Sequence, residues 1–323
     1  MIISKTPFRV SLFGGGTDYP EFYEKHGGAV LGMAINKYCY ISIRYLPPNF
    51  NHNYRIAYSD LQYCNTIDQI RHPVIRQCLQ DYGETKGVEV MHQSDLPAHR
   101  GLGSSSAFTV GFLNAYKFLS ISGQQYSRLD LARFAIEVER HQLNEAGGEQ
   151  DQLLCALGGI NFIEFKPYSC TSIPYCELGK YMLLFDTKTH RFAPDVASKL
   201  KAGIDGIANN RRLHEMKRIA YEGRKLLESK DYIGLGKLLH LYWMIHKRFL
   251  PGVSNEYIMG IYETGIKAGA LGGKLIGAGN GGYMLFIVEP EKQDRVIYAL
   301  KGLHCVKFDI DLLGTNIIYS DVN

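Results

Sequence analysis

Three stretches of this 323-residue chain combine residue types that could do chemistry. The densest is Leu96-Pro97-Ala98-His99-Arg100-Gly101-Leu102-Gly103-Ser104-Ser105-Ser106-Ala107. Phosphate binds where successive backbone N–H groups point inward at a helix N-terminus, because the unpaired amides and the helix dipole both favour negative charge. Glycine lets the backbone approach a ligand with no Cβ in the way. Gly101-x-Gly103, three serines and an apolar helical run have that composition, and the hydroxyls can also reach a phosphate-bound Mg2+. An ordinary capped loop has the same composition, and both readings stand at this level.

Sharper rivals are decided by context. No GxxxxGK[ST] string occurs. Gly103-Ser104-Ser105-Ser106-Ala107 approximates a hydrolase nucleophile elbow, but that elbow needs a strand running straight into it. Here the strand ends near His92 and a loop containing Pro97 intervenes. Gly277-Ala278-Gly279-Asn280-Gly281-Gly282 matches GxGxxG, yet it leads into Tyr283-Met284-Leu285-Phe286-Ile287-Val288, a strand where a dinucleotide site requires a helix.

The second stretch holds Glu139 and Asp151 on either side of Gly147-Gly148. On one continuous helix they would point about 120° apart, but the paired glycines stop the helix and allow a reversal. Two carboxylates beside a polyphosphate make chemical sense. One holds Mg2+, which takes hard oxygen ligands, and the other handles the proton of an acceptor hydroxyl. Solvated or capping carboxylates are the plainer alternative. The third stretch is Arg9-Val10-Ser11-Leu12-Phe13-Gly14-Gly15-Gly16-Thr17-Asp18, three glycines after a strand and then two polar groups. Short side chains such as Asp accept from vicinal sugar hydroxyls; a tight hairpin is the alternative. His240 and His246 lack metal-ligand spacing and read as packing or surface residues.

The elements that must position these groups read as mixed α and β. Strands are expected at Arg9–Phe13, Gly28–Tyr45, Gly87–His92, Gly159–Phe165 and Tyr181–Phe185, with helical spacing over 67–82, 105–119 and 127–144 and Ser127 as an N-cap. The second half opens with helices near 193–205, 208–228, 231–249 and 254–268. Strands near 273–276 and 281–288, a helix near 291–302 and further strands close it. Lys166–Lys180 has no clear period, so a boundary is expected there, giving domains 1–166 and 167–323. Hydrophobic content of 46% supports a sizeable core. A formal charge of +4 suits an anionic ligand but is too weak for a nucleic-acid surface. Seven cysteines without a CxxC pair suggest a reducing compartment, neither zinc site nor disulfide framework. The N-terminus lacks a signal-peptide pattern and no apolar run approaches a membrane span, so a cytoplasmic, soluble protein is expected.

Taken together and in order, the three glycine-rich strings resemble the GHMP kinase family over nearly the whole chain. Thr6-Pro7-Phe8-Arg9-Val10 through Gly16-Thr17-Asp18 resembles its first motif. Leu96-Pro97 through Ala107 resembles the second, and Lys274-Leu275-Ile276-Gly277-Ala278-Gly279-Asn280-Gly281-Gly282 the third. The resemblance implies a two-domain α+β fold and an ATP- and Mg2+-dependent kinase acting on a small molecule, with neither nucleic acid nor membrane as partner. It assigns Pro97, Arg100, Gly101, Leu102, Gly103, Ser104, Ser105 and Ser106 to ATP, Ser105 and Glu139 to Mg2+, Asp151 to the acceptor hydroxyl and Arg9 to the transferring phosphoryl group. Gly15, Gly16, Thr17 and Asp18 would bind a sugar.

Within the family, Gly14–Asp18, Gly28–Lys37 and Gly148–Gln152 are most similar to the D-glycero-D-manno-heptose 7-phosphate kinases, which act on the anomeric hydroxyl. Arg191 is then a candidate for the distal phosphate. Thr187-Lys188 departs from the Thr-Gly usual there. Fucokinase- and galactokinase-like relatives share parts of the pattern. A non-catalytic sugar-phosphate binder on the same fold is the remaining alternative, against which the intact Ser105, Glu139 and Asp151 argue.

Overall fold

A computed structural model describes residues 1–98, 100–120, 123, 125–174, 176–189, 203–204, 206–248, 253–277, 279 and 281–321. Arg191 and most of the helix expected at 193–205 lie outside the described residues.

Two long antiparallel strands, β1 (Ile2–Phe13) and β2 (Gly28–Tyr45), form the spine of an eight-stranded sheet. The second half of β2 pairs with β5 (Val88–Ser94), which continues to β3 (Tyr54–Ala57) and β4 (Leu61–Cys64). Its first half pairs with β6 (Ile160–Phe165), and β7 (Ser169–Ile173) lies beyond. The C-terminal strand β12 (Asn316–Ser320) returns to the free edge of β1. This sheet therefore draws on chain from both sides of the boundary expected at 166/167.

The second sheet is antiparallel and four-stranded, ordered β11 (His304–Val306), β8 (Met182–Asp186), β10 (Tyr283–Ile287), β9 (Gly272–Ile276). Successive strand residues face opposite sides. In β10, Tyr283, Leu285 and Ile287 join the core of the first sheet, whereas Met284 and Phe286 join a second core with Trp243 and Tyr262. Burial on both faces explains why β10 reads as an unbroken apolar run. The described helices are α1 (Pro20–His26), α2 (Pro73–Asp81), α3 (Ser104–Ser120), α4 (Arg128–Ile136), α5 (Gln150–Leu157), α6 (Ile207–Glu228), α7 (Tyr232–His246), α8 (Glu256–Ala268) and α9 (Gln293–Ala299). The architecture is α+β, as expected.

Caps set several helix starts. Ser127 accepts from the Asp130 N–H at 3.1 Å, as expected, and the Asn255 side chain accepts from the Ile258 N–H at 2.9 Å before α8. Two local departures bear on the site. Helix α4 does not run to residue 144 but gives way at Glu137–Gln142 to a π-helical turn, a widening found frequently at functional sites. In the sheet, β1 and β2 slip register between Ser11 and Phe13, where Ser11 faces Gly32 and Phe13 faces Leu31. Leu12 is the extra residue of a β-bulge. Among the described residues every cysteine is free, and no helix is long and apolar enough to cross a membrane.

Candidate active site

The glycine loop leads directly into α3 and is wedged backbone to backbone against the third motif. A Cβ on Gly101 would lie 2.2 Å from the Ile276 carbonyl oxygen, and one on Gly282 would lie 2.2 Å from that of Arg100. Only glycine allows this approach, and Gly101 and Gly103 also take positive φ of 84° and 72°. The loop thus ends at the N-terminus of a 17-residue helix, the end at which backbone N–H groups point outward along the helix axis.

Arg9 joins the loop to the carboxylates. Its Nε and Nη2 donate to the two oxygens of Asp151, the first at 2.6 Å, and Nη1 donates to the Gly101 carbonyl. The guanidinium side chain is 7% exposed and the Asp151 side chain 29%, so the pair is closed on one side and open on the other. Burial opposes the arginine's charge, but Asp151 outweighs it and the Arg9 pKa is raised. Guanidinium carries five N–H donors, of which three are engaged among the described residues. Asp151 occupies the first turn of α5, which begins just after Gly147-Gly148.

Asp18 is 1% exposed and held from both sides, by the Gly16 N–H at 2.8 Å and the Gln150 N–H at 3.2 Å. Burial, reinforced by the charge of Asp151, raises its pKa. Gly148 packs so tightly that a Cβ there would lie 1.8 Å from Asp18 Oδ2. The glycine pair therefore brings Asp151 and Asp18 to one place. Thr17 is placed differently from its expected sugar contact. Its hydroxyl donates to the Gly14 and Ala29 carbonyls at 2.8 and 3.0 Å, accepts from the Ala29 N–H at 3.1 Å, and is fully buried. It pins the turn.

Glu139 projects from the π turn and is 3% exposed. It accepts from Ser106 Oγ at 2.9 Å, Thr109 Oγ1 at 2.5 Å and Gln152 Nε2. Despite these donors, burial pushes its carboxyl up to about 7. Of Ser105 and Ser106, the one bonded to Glu139 is Ser106; Ser105, expected beside Glu139 on the metal, is exposed. A buried carboxylate ringed by hydroxyls, with no cationic side chain paired to it among the described residues, fits a small divalent cation. No group of three His, Cys, Asp or Glu side chains gathers among the described residues. Such a cation would lean on few protein ligands and on phosphate and water, the coordination habit of Mg2+. Arg100, expected at the nucleotide, pairs with Asp186 at 2.7 Å.

Sequence reasoning missed Thr109, Gln152, Tyr242 and Lys274. Thr109 was the detectable one, a lone hydroxyl one helical turn beyond Ser105 in an otherwise apolar run. Lys274 stands in the third motif with no separate role legible there, yet its ammonium reaches the Ser11 and Leu12 carbonyls at 2.9 and 3.3 Å.

Comparison with known proteins agrees with this geometry. The family model for the GHMP kinases N terminal domain matches residues 68–159, and that for the GHMP kinases C terminal matches residues 224–304, together more than half the chain. The D-glycero-alpha-D-manno-heptose 7-phosphate kinase of Campylobacter jejuni is 29% identical over 318 residues, covering 93% of each chain. Mevalonate kinase of Thermococcus sibiricus is 24% identical over 93% of this chain and 92% of its own. A solved D-glycero-D-manno-heptose 1-phosphate kinase from Bacteroides thetaiotaomicron superposes with TM-score 0.77 at 25% identity, covering 99% of this chain and 100% of that one. Lactococcus lactis galactokinase in complex with galactose shares the fold, with TM-score 0.75 at 15% identity over 98% and 94% of the two chains. The matched regions carry the glycine loop, Glu139 and Asp151 in one case and the strand bearing Lys274 in the other, so the chain belongs to the GHMP kinases and is an ATP-dependent phosphotransferase.

Proposed function

We propose that this kinase transfers the γ-phosphoryl group of ATP to the anomeric hydroxyl of D-glycero-D-manno-heptose 7-phosphate. The observation that carries the reading is the Arg9–Asp151 pair, with one open side, set beside the buried Asp18 under the glycine loop. The names of the two heptose kinases support the sugar while differing in the phosphate position they give.

In this reading residues 101–106 cradle the triphosphate with backbone amides and the dipole of α3. Glu139 and a hydroxyl of the first turn of α3, Ser106 or Ser105, hold Mg2+, which neutralises charge on the phosphates. Asp18 accepts from a sugar hydroxyl, and the backbone of Gly15 and Gly16 faces the ring. Arg191 meets the distal phosphate. Asp151, oriented by the arginine fork, accepts a hydrogen bond from the anomeric hydroxyl and aligns its oxygen with the γ-phosphorus. Arg9 stabilises charge that develops on the transferring group. As the new P–O bond forms and the bond to the β-phosphate oxygen breaks, the hydroxyl proton passes to Asp151 and on to solvent, leaving ADP and the 1,7-bisphosphate.

The test is ATP-dependent bisphosphate formation by wild type and Asp151→Asn. Loss of a positioned acid–base group costs about 10²–10⁴-fold in kcat; an unchanged rate removes Asp151 from the mechanism.

A further inference from the structure

The β-bulge at the end of β1 creates an accounting problem. An extra residue leaves backbone groups without ladder partners, and Ser11 and Leu12 lie in a buried part of the molecule where an unmet carbonyl is costly. Lys274 answers it from the other sheet. It projects from β9, is 3% exposed, and donates to both carbonyls, Ser11 at 2.9 Å and Leu12 at 3.3 Å. Its ammonium also lies 4.8 Å from the centroid of the Tyr242 ring, an attractive cation–π distance. Among the described residues it forms no ion pair with a carboxylate. A buried ammonium held only by carbonyls and a ring is expensive, so its retention calls for a reason other than stability.

What it holds supplies that reason. Two residues before Ser11 on β1 is Arg9, and three after it the Gly14–Gly16 turn begins. Gly16 donates to Asp18 at 2.8 Å. Beneath this turn Ser11 Oγ is buried without a hydrogen-bond partner, and Tyr242 Oη faces the Gly14 and Gly15 amides; the two oxygens approach a Cβ built on Gly15 to 3.3 and 3.9 Å. Thr17 pins the far end of the turn, and the lysine holds its root at Ser11 and Leu12.

We infer that Lys274 is a positioning residue for the phosphoryl acceptor, reaching across from the second sheet to lock the bulge at Ser11–Phe13 and so fix where the glycine turn presents Asp18 relative to the Arg9–Asp151 pair. The inference rests on the reading that Asp18 receives the acceptor. It couples the third motif to acceptor geometry, a role separate from that motif's backbone packing against the nucleotide loop.

The experiment is steady-state kinetics and thermal unfolding of Lys274→Met and Lys274→Arg beside wild type. Lys274→Met removes the donors at nearly constant volume. The expected result is an acceptor KM raised about tenfold or more, in line with an ångström-scale misplacement, an ATP KM within about twofold, and a Tm at pH 7 no lower than wild type. Lys274→Arg keeps donors for the two carbonyls and is expected to hold acceptor KM closer to wild type than the methionine variant. If Lys274→Met does not fold, Lys274→Gln, whose shorter side chain cannot reach as the ammonium does, takes its place. An unchanged acceptor KM in folded Lys274→Met or Lys274→Gln, or acceptor KM, ATP KM and Tm worsening together, overturns the inference. A wild type inert toward heptose 7-phosphate instead refutes the substrate reading; the same split is then measured on whichever member of a hexose and heptose panel the wild type phosphorylates.

Discussion

Replacing Gly148 by alanine is the smallest change that separates the acceptor side of the site from the nucleotide side. Gly148 is outside the left-handed region, so alanine meets no backbone strain there. Its obstacle is steric. The added carbon would lie 1.8 Å from Asp18 Oδ2, 2.2 Å from Cγ and 2.8 Å from Oδ1, and all three nearest atoms belong to Asp18. One of the two segments must yield by about 1.6 Å, the gap between 1.8 Å and the 3.4 Å at which ordinary contact begins. Asp18 is the pinned member, held by the Gly16 and Gln150 amides, and a charged hydrogen bond lost on burial costs about 1.5–3 kcal/mol. A misplacement of about 1 Å costs about 10²-fold in rate, or about 2.7 kcal/mol of transition-state stabilisation. We expect kcat/KM for the sugar to fall by about that factor. ATP affinity, measured calorimetrically without acceptor, should stay within about twofold, because the nearest atoms touched are none of the glycine loop's. A folded Gly148→Ala enzyme with wild-type acceptor kinetics would refute the placement of Asp18 at the acceptor.

Three further outcomes follow from the same geometry. Glu139→Gln keeps an oxygen for one of Ser106 and Thr109 and turns an amide N–H to the other, but removes the charge, so the Mg2+ concentration for half-maximal activity should rise at least about tenfold, read from magnesium titrations at fixed ATP. For Lys274, burial depresses the folded-state pKa from 10.5 to about 7. The unfolded chain thus binds more protons between these values, and stability rises with pH across that window. Lys274→Met abolishes this dependence, so its Tm advantage should be largest at or below pH 7 and vanish near pH 10; a pH-independent difference contradicts the buried ammonium. Phe286→Ala should cost about 3–5 kcal/mol in denaturant unfolding, since the ring is fully buried in the second core.

The parts of the site legible in the sequence are those written as compact strings. Glycines that permit close approach mark both the loop and the first turn, and Gly147-Gly148 marks a reversal, although the string does not say that the reversal sets Asp151 near Asp18. What escaped depended on rotation or on distant chain. Adjacent helix residues differ by about 100° in direction, so composition could not say that Ser106 rather than Ser105 turns toward Glu139. Thr17 reads as a polar group available to a ligand, yet the turn spends its hydroxyl on three backbone partners. The π turn carrying Glu139 has no sequence signature distinct from the helix it interrupts. Lys274 and Tyr242 meet the first turn across more than 200 residues of chain, a contact no local pattern encodes. Among the elements, β3, β4 and β7 went unread because they are short, and β4 alternates exposed and buried positions in only four residues. The long strands β1 and β2 and helix α3 were legible because burial along most of their length leaves sustained apolar patterns.

The central claim is the reaction itself, and phosphorus NMR of the enzyme with MgATP and D-glycero-D-manno-heptose 7-phosphate tests it most directly. The account predicts ADP and, in equal amount, a second sugar phosphate ester coupled to the anomeric proton, with neither product formed at comparable rate by Asp151→Asn. No sugar-dependent ADP, or a new ester coupled to any proton other than the anomeric one, would contradict it.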